Sequence, residues 1–165
     1  HQTITTFFNQ LQYARWGLSS AAIGILYIAA VLLGLSGVWS ARLTNKTGPL
    51  WGGVLLCSAA VLACTALALS TGAVSSVCAI LALRLSNTLF QPFQMELQNR
   101  QVVTEHRATA LSIHAMVIDG VGVCTNLAFG ALAEVDLTCA FWFGGGICLT
   151  GLVLFLIWYK LRPRI

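Results

Sequence analysis

The sequence predicts an all-α membrane protein: a helical bundle of five transmembrane helices plus the outer end of a sixth. Three observations carry that prediction. Of 165 residues, 58% are hydrophobic and only 8% are charged, where a soluble domain carries about a quarter charged residues; the mean hydropathy is +0.83. The few charges also leave long gaps. Residues 16–41, 47–83 and 137–159 hold none, in runs of 26, 37 and 23 positions. About 20 apolar residues carry a helix across the hydrocarbon core of a bilayer, so the longest gap has to turn back on itself. Finally, the strict alternation over about ten residues that marks a membrane β-strand is missing. Backbone polar groups in hydrocarbon have to be satisfied inside the segment, which leaves helices.

The elements follow in order. Residues 1–16 begin "HQTITTFFNQLQYAR", too polar and too short to span alone, and are expected to form the outer end of a helix whose inner part precedes them. The start at His1, with no basic stretch leading into an apolar one, does not resemble a signal peptide. The first full crossing is expected at 17–41, followed by a short basic loop, "RLTNKTGP", closed by Gly48 and Pro49. The second is expected at 50–70, with "STGAVSS" as a tight turn. The third covers 74–97, the fourth 108–132 and the fifth 137–159, joined by "QNRQVVTEHRA" and "EVD" and ending in "KLRPRI".

Charge placement sets an expected orientation. Arg42, Lys46, Arg100, Arg107, Lys160, Arg162 and Arg164 fall in alternate connections on one side, and only Arg15 falls opposite. An excess of Lys and Arg marks the cytoplasmic side, so loops 42–49 and 98–107 and the C-terminus are expected there, in a multi-pass protein of the cytoplasmic membrane. The net charge of +4 is spread over the ends of apolar runs rather than along a stripe, which argues against nucleic acid as a partner. Cys57, Cys64, Cys78, Cys124, Cys139 and Cys148 all lie in apolar segments, without a C-x-x-C pair or a histidine at ligand spacing. They read as small packing residues, and neither a metal nor a cofactor is expected.

The five crossings differ in polarity. The second and fifth offer little beyond Ser58, Thr65, Thr138 and Thr150 and are expected on the outside. On the third, Arg84, Asn87, Gln91, Gln94 and Gln98 recur at spacings of three and four and so share one helix face. On the fourth, Ser112, Asp119 and Asn126 stand seven apart on one face, with His114 on another side. Lipid cannot solvate such a stripe, so it must face protein or water. It lines a cavity or serves as interhelical hydrogen bonding. Arg84 and Asp119 are the only charges in the expected hydrocarbon region. Each lies roughly 15–16 Å into its helix at 1.5 Å per residue. Antiparallel neighbours would bring them to one level, where Asp119 answers Arg84 directly, through water or through a bound solute. A static ion pair and a solute- or proton-responsive site are both open. If a proton moves, Asp119 is the candidate, because arginine stays charged. His114 titrates nearer neutrality but reads as a packed, hydrogen-bonded side chain. Gly120, Gly122, Gly130 and Gly144–Gly146 permit either close helix contact or bending.

These residues carry a resemblance. "GLSSAAIGILYIAAVLLGLSGVWSARLTNKTG" resembles the eighth helix and following basic loop of major facilitator superfamily transporters. "NRQVVTEHRATALS", with Asn99, Arg107, Ala108 and Thr109, resembles the tenth-to-eleventh connection of bacterial permeases, and "GALAE" the outer end of the eleventh helix. The likeness spreads over nearly the whole chain, which resembles the C-terminal half of such a transporter, from the end of helix 7 to helix 12. The loop signature of the family is degenerate: Gly37, Arg42, Lys46 and Gly48 are in place, but Ser40 and Ala41 stand at the acidic position. The resemblance implies two six-helix bundles around a central cavity that opens alternately to either side. It also implies a missing N-terminal six-helix bundle as partner, and Gln10 and Gln12 near the outer end of helix 7, facing the cavity. The expected function is secondary active transport of a small organic solute, with Arg84, Asn87, Gln91, Gln94, Asp119, Asn126 and Gln10 lining the substrate cavity. A non-transporting membrane scaffold or accessory subunit is the first alternative. An integral membrane enzyme is the second, although no catalytic constellation lies at the membrane surface and Glu105 and His106 are adjacent in a loop.

Overall fold

The computed structural model describes residues 3–101 and 107–161. Those residues are helical except at 16–19, 69–72 and 136, with no strand among them. A π-helical turn, Ile4–Phe8, leads into α1 (Asn9–Arg15). Then come α2 (Ser20–Gly34), a 3₁₀ segment (Leu35–Trp39), α3 (Ser40–Ala68), α4 (Ala73–Gln101), α5 (Arg107–Val135) and α6 (Leu137–Leu161). The connections at 69–72 and at Asp136 mark one end of the bundle, here the upper end. Gly48 and the junction of α4 with α5 mark the lower end.

Among the described residues, four helical runs are long and apolar enough to cross a membrane: Ser20–Ala68, Ala73–Asn99, Ala108–Val135 and Leu137–Leu161. The chain is thus an all-α protein of multi-pass membrane character. The first run has 49 residues, about 73 Å at 1.5 Å per residue, more than twice the hydrocarbon thickness. It does not continue straight. Gly48 has φ 77° and ψ 162°, a backbone conformation outside the helix that side-chain-bearing residues rarely adopt. Pro49 follows; it lacks the N–H that a helix start leaves unpaired anyway, and its fixed φ suits that position.

The stretch Arg42–Thr47, expected as loop, is helical. Its hydroxyls bond backward to the backbone, Thr44 Oγ1 to the Ser40 carbonyl at 3.0 Å and Thr47 Oγ1 to the Leu43 carbonyl at 2.8 Å. Nothing breaks the helix until Gly48. Likewise α4 runs on to Gln101 and α5 to Val135, beyond the expected ends at 97 and 132. The rest of the expected loop, 102–106, and the tail 162–165 lie outside the described residues.

The second half of α3 is the packing centre. Gly52, Gly53, Leu56, Ala60, Ala63, Cys64 and Leu67 are all buried there, against α4 on one side and α6 on the other. On α6, Ala140, Phe141, Gly144 and Gly145 are buried. The second and fifth crossings, expected on the outside, thus pack against each other, with α3 at the centre of the bundle; low polarity suits a helix packed among helices as well as one facing lipid. Small residues let the two backbones approach closely: a Cβ built on Gly145 would sit 3.6 Å from Cys64 Cβ. α5 packs on α6 and not along α4. The N-terminal turn stands near both, with the Phe8 ring tilted against Phe129 of α5 at 4.6 Å between ring centroids and the turn itself touching α4.

The upper edge is tied by polar contacts. Asp136 Oδ1 accepts from the Thr138 amide at 3.0 Å, and Asp136 Oδ2 from Cys139 Sγ at 3.6 Å, which caps the start of α6. Arg15 Nη1 donates to Thr138 Oγ1 at 3.3 Å and so holds the end of α1 to the same turn.

Two predictions follow from this packing. A Cβ at Gly53 would overlap the Phe155 ring, so Gly53→Ala should destabilise the α3–α6 seam by about 1–3 kcal/mol. Thermal unfolding in detergent reads this, and adding Phe155→Leu to Gly53→Ala should recover part of the loss. The hydrogen bond from the Thr138 amide, chiefly, holds the Asp136 carboxyl below its ordinary value, with Arg15 adding to the effect. A depressed carboxyl stabilises the fold above its unfolded value of about 3.9 and loses that contribution as pH falls through the folded value. Asp136→Ala should therefore lower the melting temperature at pH 7, with the difference from the parent protein shrinking towards pH 3.

Candidate functional site

The polar face of α4 is the starting point, because a helix of this apolarity has few polar side chains to spare. Asn87 is 5% exposed. Ser86, beside it, is buried and donates to the Leu56 carbonyl at 2.8 Å, pinning α4 to α3. Arg84 is half-buried; its Nε is sealed from solvent without a hydrogen-bond partner, whereas its terminal nitrogens are not sealed. Gln91 is exposed, and Gln94 and Gln98 are half-buried.

Gln94 and Gln98 do converge on something. With Phe90, Phe93 and Leu97 of α4, His114 of α5, and Leu154, Phe155 and Trp158 of α6, they line a cavity of about 320 Å³ in the lower half of the bundle. Gln98 Nε2 lies against His114 Nε2. This contact bridges α4 and α5 where the two helices otherwise stand apart. A smaller cavity of about 240 Å³ lies beside Gly48 and Pro49, bounded by Thr44, Asn45, Phe93, Glu96 and Leu97.

The other expected site residues are scattered. Asp119 is exposed on α5 and makes no ion pair with Arg84. Counted from the upper end, Arg84 lies 11 residues into α4 and Asp119 lies 16 residues from Val135, roughly 16 Å and 24 Å deep at 1.5 Å per residue. The N-terminal turn also intervenes between their helices. Asn126 is half-buried, with Oδ1 sealed and unpartnered. Ser112 and His114 are exposed.

Gln10, placed in the cavity by the sequence resemblance, is exposed on α1. The buried amide of that segment is Gln12, with 0% exposure. Its Nε2 donates to Ser70 Oγ at 3.0 Å and to Ser76 Oγ at 2.8 Å, while Oε1 has no partner. One turn earlier, Asn9, 4% exposed, accepts on Oδ1 from the Tyr27 hydroxyl at 3.1 Å. A buried polar cluster thus joins α1, α2 and the turn between α3 and α4. The spacing of Asn9 and Gln12 and the serines flanking "STGAVSS" were its only sequence signals.

The Gln12 cluster yields a sign that depends on the replacement. Ser70 Oγ also donates to the Leu67 carbonyl, and Ser76 Oγ to Ser70 Oγ, so both serines keep partners if the amide goes. Removing an unpartnered buried acceptor offsets the lost bonds, and Gln12→Met should change stability by no more than about 1 kcal/mol. Gln12→Glu introduces a carboxylate with no buried cation beside it and should cost several kcal/mol. Melting curves of the two variants at pH 7 compare them.

Comparison with protein families, with curated proteins and with solved structures finds no match to this chain.

Proposed function

We propose that the chain is the C-terminal six-helix half of a major facilitator superfamily transporter and moves a small organic solute across the cytoplasmic membrane by alternating access. On this reading the break at Gly48 splits the 49-residue run into two crossings, giving five complete spans. The ends rich in Lys and Arg face the cytoplasm. The observation that carries the reading is Arg84: a guanidinium within a membrane-length helix, its Nε sealed and unpartnered, on one face with Asn87, Gln91, Gln94 and Gln98. Ionisable groups within membrane helices are expensive and mark solute or ion paths. An arginine fork offers paired donors to a carboxylate or phosphate, so an anionic or polar solute group suits it.

The exposed polar positions of α4 and α5, Gln91, Ser112 and Asp119, would face the central cavity and a second bundle rather than lipid. Asp119 is the carboxylate available for proton coupling.

Alternating access has a test that needs no known solute. Gln91→Cys and Ser112→Cys, each alone in a background whose six native cysteines are replaced, should react with a membrane-impermeant maleimide from either side of sealed vesicles. Arg84→Ala should shift the ratio of the two rates by about threefold or more, an energy of only about 0.6 kcal/mol. A scaffold would show labelling from one side only, and that result would remove transport from consideration.

A further inference from the structure

The cavity between α4, α5 and α6 has a chemistry of its own. Its walls are aromatic: Phe93 and Phe155 meet at 6.3 Å in an edge-on pair, and Phe155 and Trp158 stand 6.0 Å apart with planes tilted by 32°. Leu97 and Leu154 complete the apolar surface. Among the described residues, no Lys, Arg, Asp or Glu lines it. Hydrogen-bonding groups gather at one rim, where Gln98 and His114 touch, beside Gln94. Apolar walls with a few convergent polar groups are the ordinary make-up of a small-molecule site, and about 320 Å³ falls at the lower end of the 300–1,000 Å³ such sites span.

We propose that this cleft binds an uncharged planar aromatic compound, its rings against Phe93, Phe155 and Trp158 and one hydroxyl or carbonyl group at Gln98 and His114. Tilted rings at these separations leave faces and edges that accept another ring in offset or edge-on contact. Among the described lining residues an ion finds no countercharge to replace the hydration it leaves behind. Access lies between α4 and α5, which meet at this level through the Gln98–His114 contact. The site is lower in the bundle than Arg84, and the inference concerns binding alone, so it does not depend on transport.

The test uses the full chain in nanodiscs and equilibrium dialysis of three radiolabelled probes that share one ring system: 1-naphthol, naphthalene-1-sulfonate and 1-naphthylmethylammonium. The expected result is saturable binding of 1-naphthol, at least tenfold tighter than either ion. Gln98→Leu should weaken it about tenfold, and Leu97→Trp, which fills the cavity, should abolish it. Leu154→Trp replaces Leu97→Trp if the latter fails to give a cooperative melt. Uptake of 1-naphthol that never saturates, equal binding of an ion, or binding that survives the filled cavity would each overturn the proposal. Because no transport is measured, a negative result here leaves the labelling test of alternating access untouched, and the reverse also holds.

Discussion

The close approach of α3 and α6 is the contact on which the rest of the bundle depends. Burying apolar surface against another helix gains little in a bilayer, because lipid tails are as apolar as leucine. Association then rests on packing, and packing rests on how near two backbones can come. Gly53 on α3 meets Phe155 on α6, and Gly145 on α6 meets Cys64 on α3, and at Gly53 the seam has no room for a Cβ. α4 attaches to its α3 side, helped by the Ser86 bond to the Leu56 carbonyl. α5 attaches to its α6 side. The two polar helices are thus held by a common apolar spine and not by each other. That separation leaves the cleft between them, with the N-terminal turn above and the aromatic cavity below.

Several polar groups find partners within the chain: Ser40 on the Leu89 carbonyl at 2.7 Å, Ser86 on Leu56, and the Gln12 amide nitrogen on two serines. Gln12 Oε1, Trp16 Nε1, Arg84 Nε and Asn126 Oδ1 are sealed without partners, and Asp119 is exposed on a helix that also carries exposed Met116, Val117, Val121 and Leu127. An unpartnered buried donor or acceptor costs about 1–3 kcal/mol, so a bundle stabilised mainly by packing has little margin for four of them.

How much of this was legible beforehand depends on the kind of signal. Uncharged runs fix where helices exist, and they placed α4, α5 and α6 to within a few residues. The basic stretch Arg42–Thr47 was misread as loop because polarity was taken as punctuation. The punctuation is Gly48, the residue that can hold φ 77°; the threonines before it satisfy themselves on the helix backbone. The shared face of Arg84, Asn87 and Gln94 was readable from spacing alone, since it is a property of one helix. The direct Arg84–Asp119 contact was not, because it required knowing which helices are neighbours. Periodicity does not say that residues 4–8 stand between α4 and α5. The same ignorance placed Gln12 toward a cavity, whereas its amide is buried on two serines more than 50 positions away.

Asp119 and Arg84 pose one physical problem from two sides. An ionised side chain at the centre of a membrane helix is disfavoured by at least about 2.5–3.5 kcal/mol when it meets hydrocarbon. Arg84 cannot avoid this by losing its proton; its stem is buried, so its terminal nitrogens have to be met where they emerge. Asp119 is exposed on α5, where no partner among the described residues answers it. A pair that met directly would settle both charges permanently and leave nothing for a solute or a proton to change. Arg84 and Asp119 instead stand on helices that pack on the α3–α6 spine and not along each other, so each charge has to be answered separately.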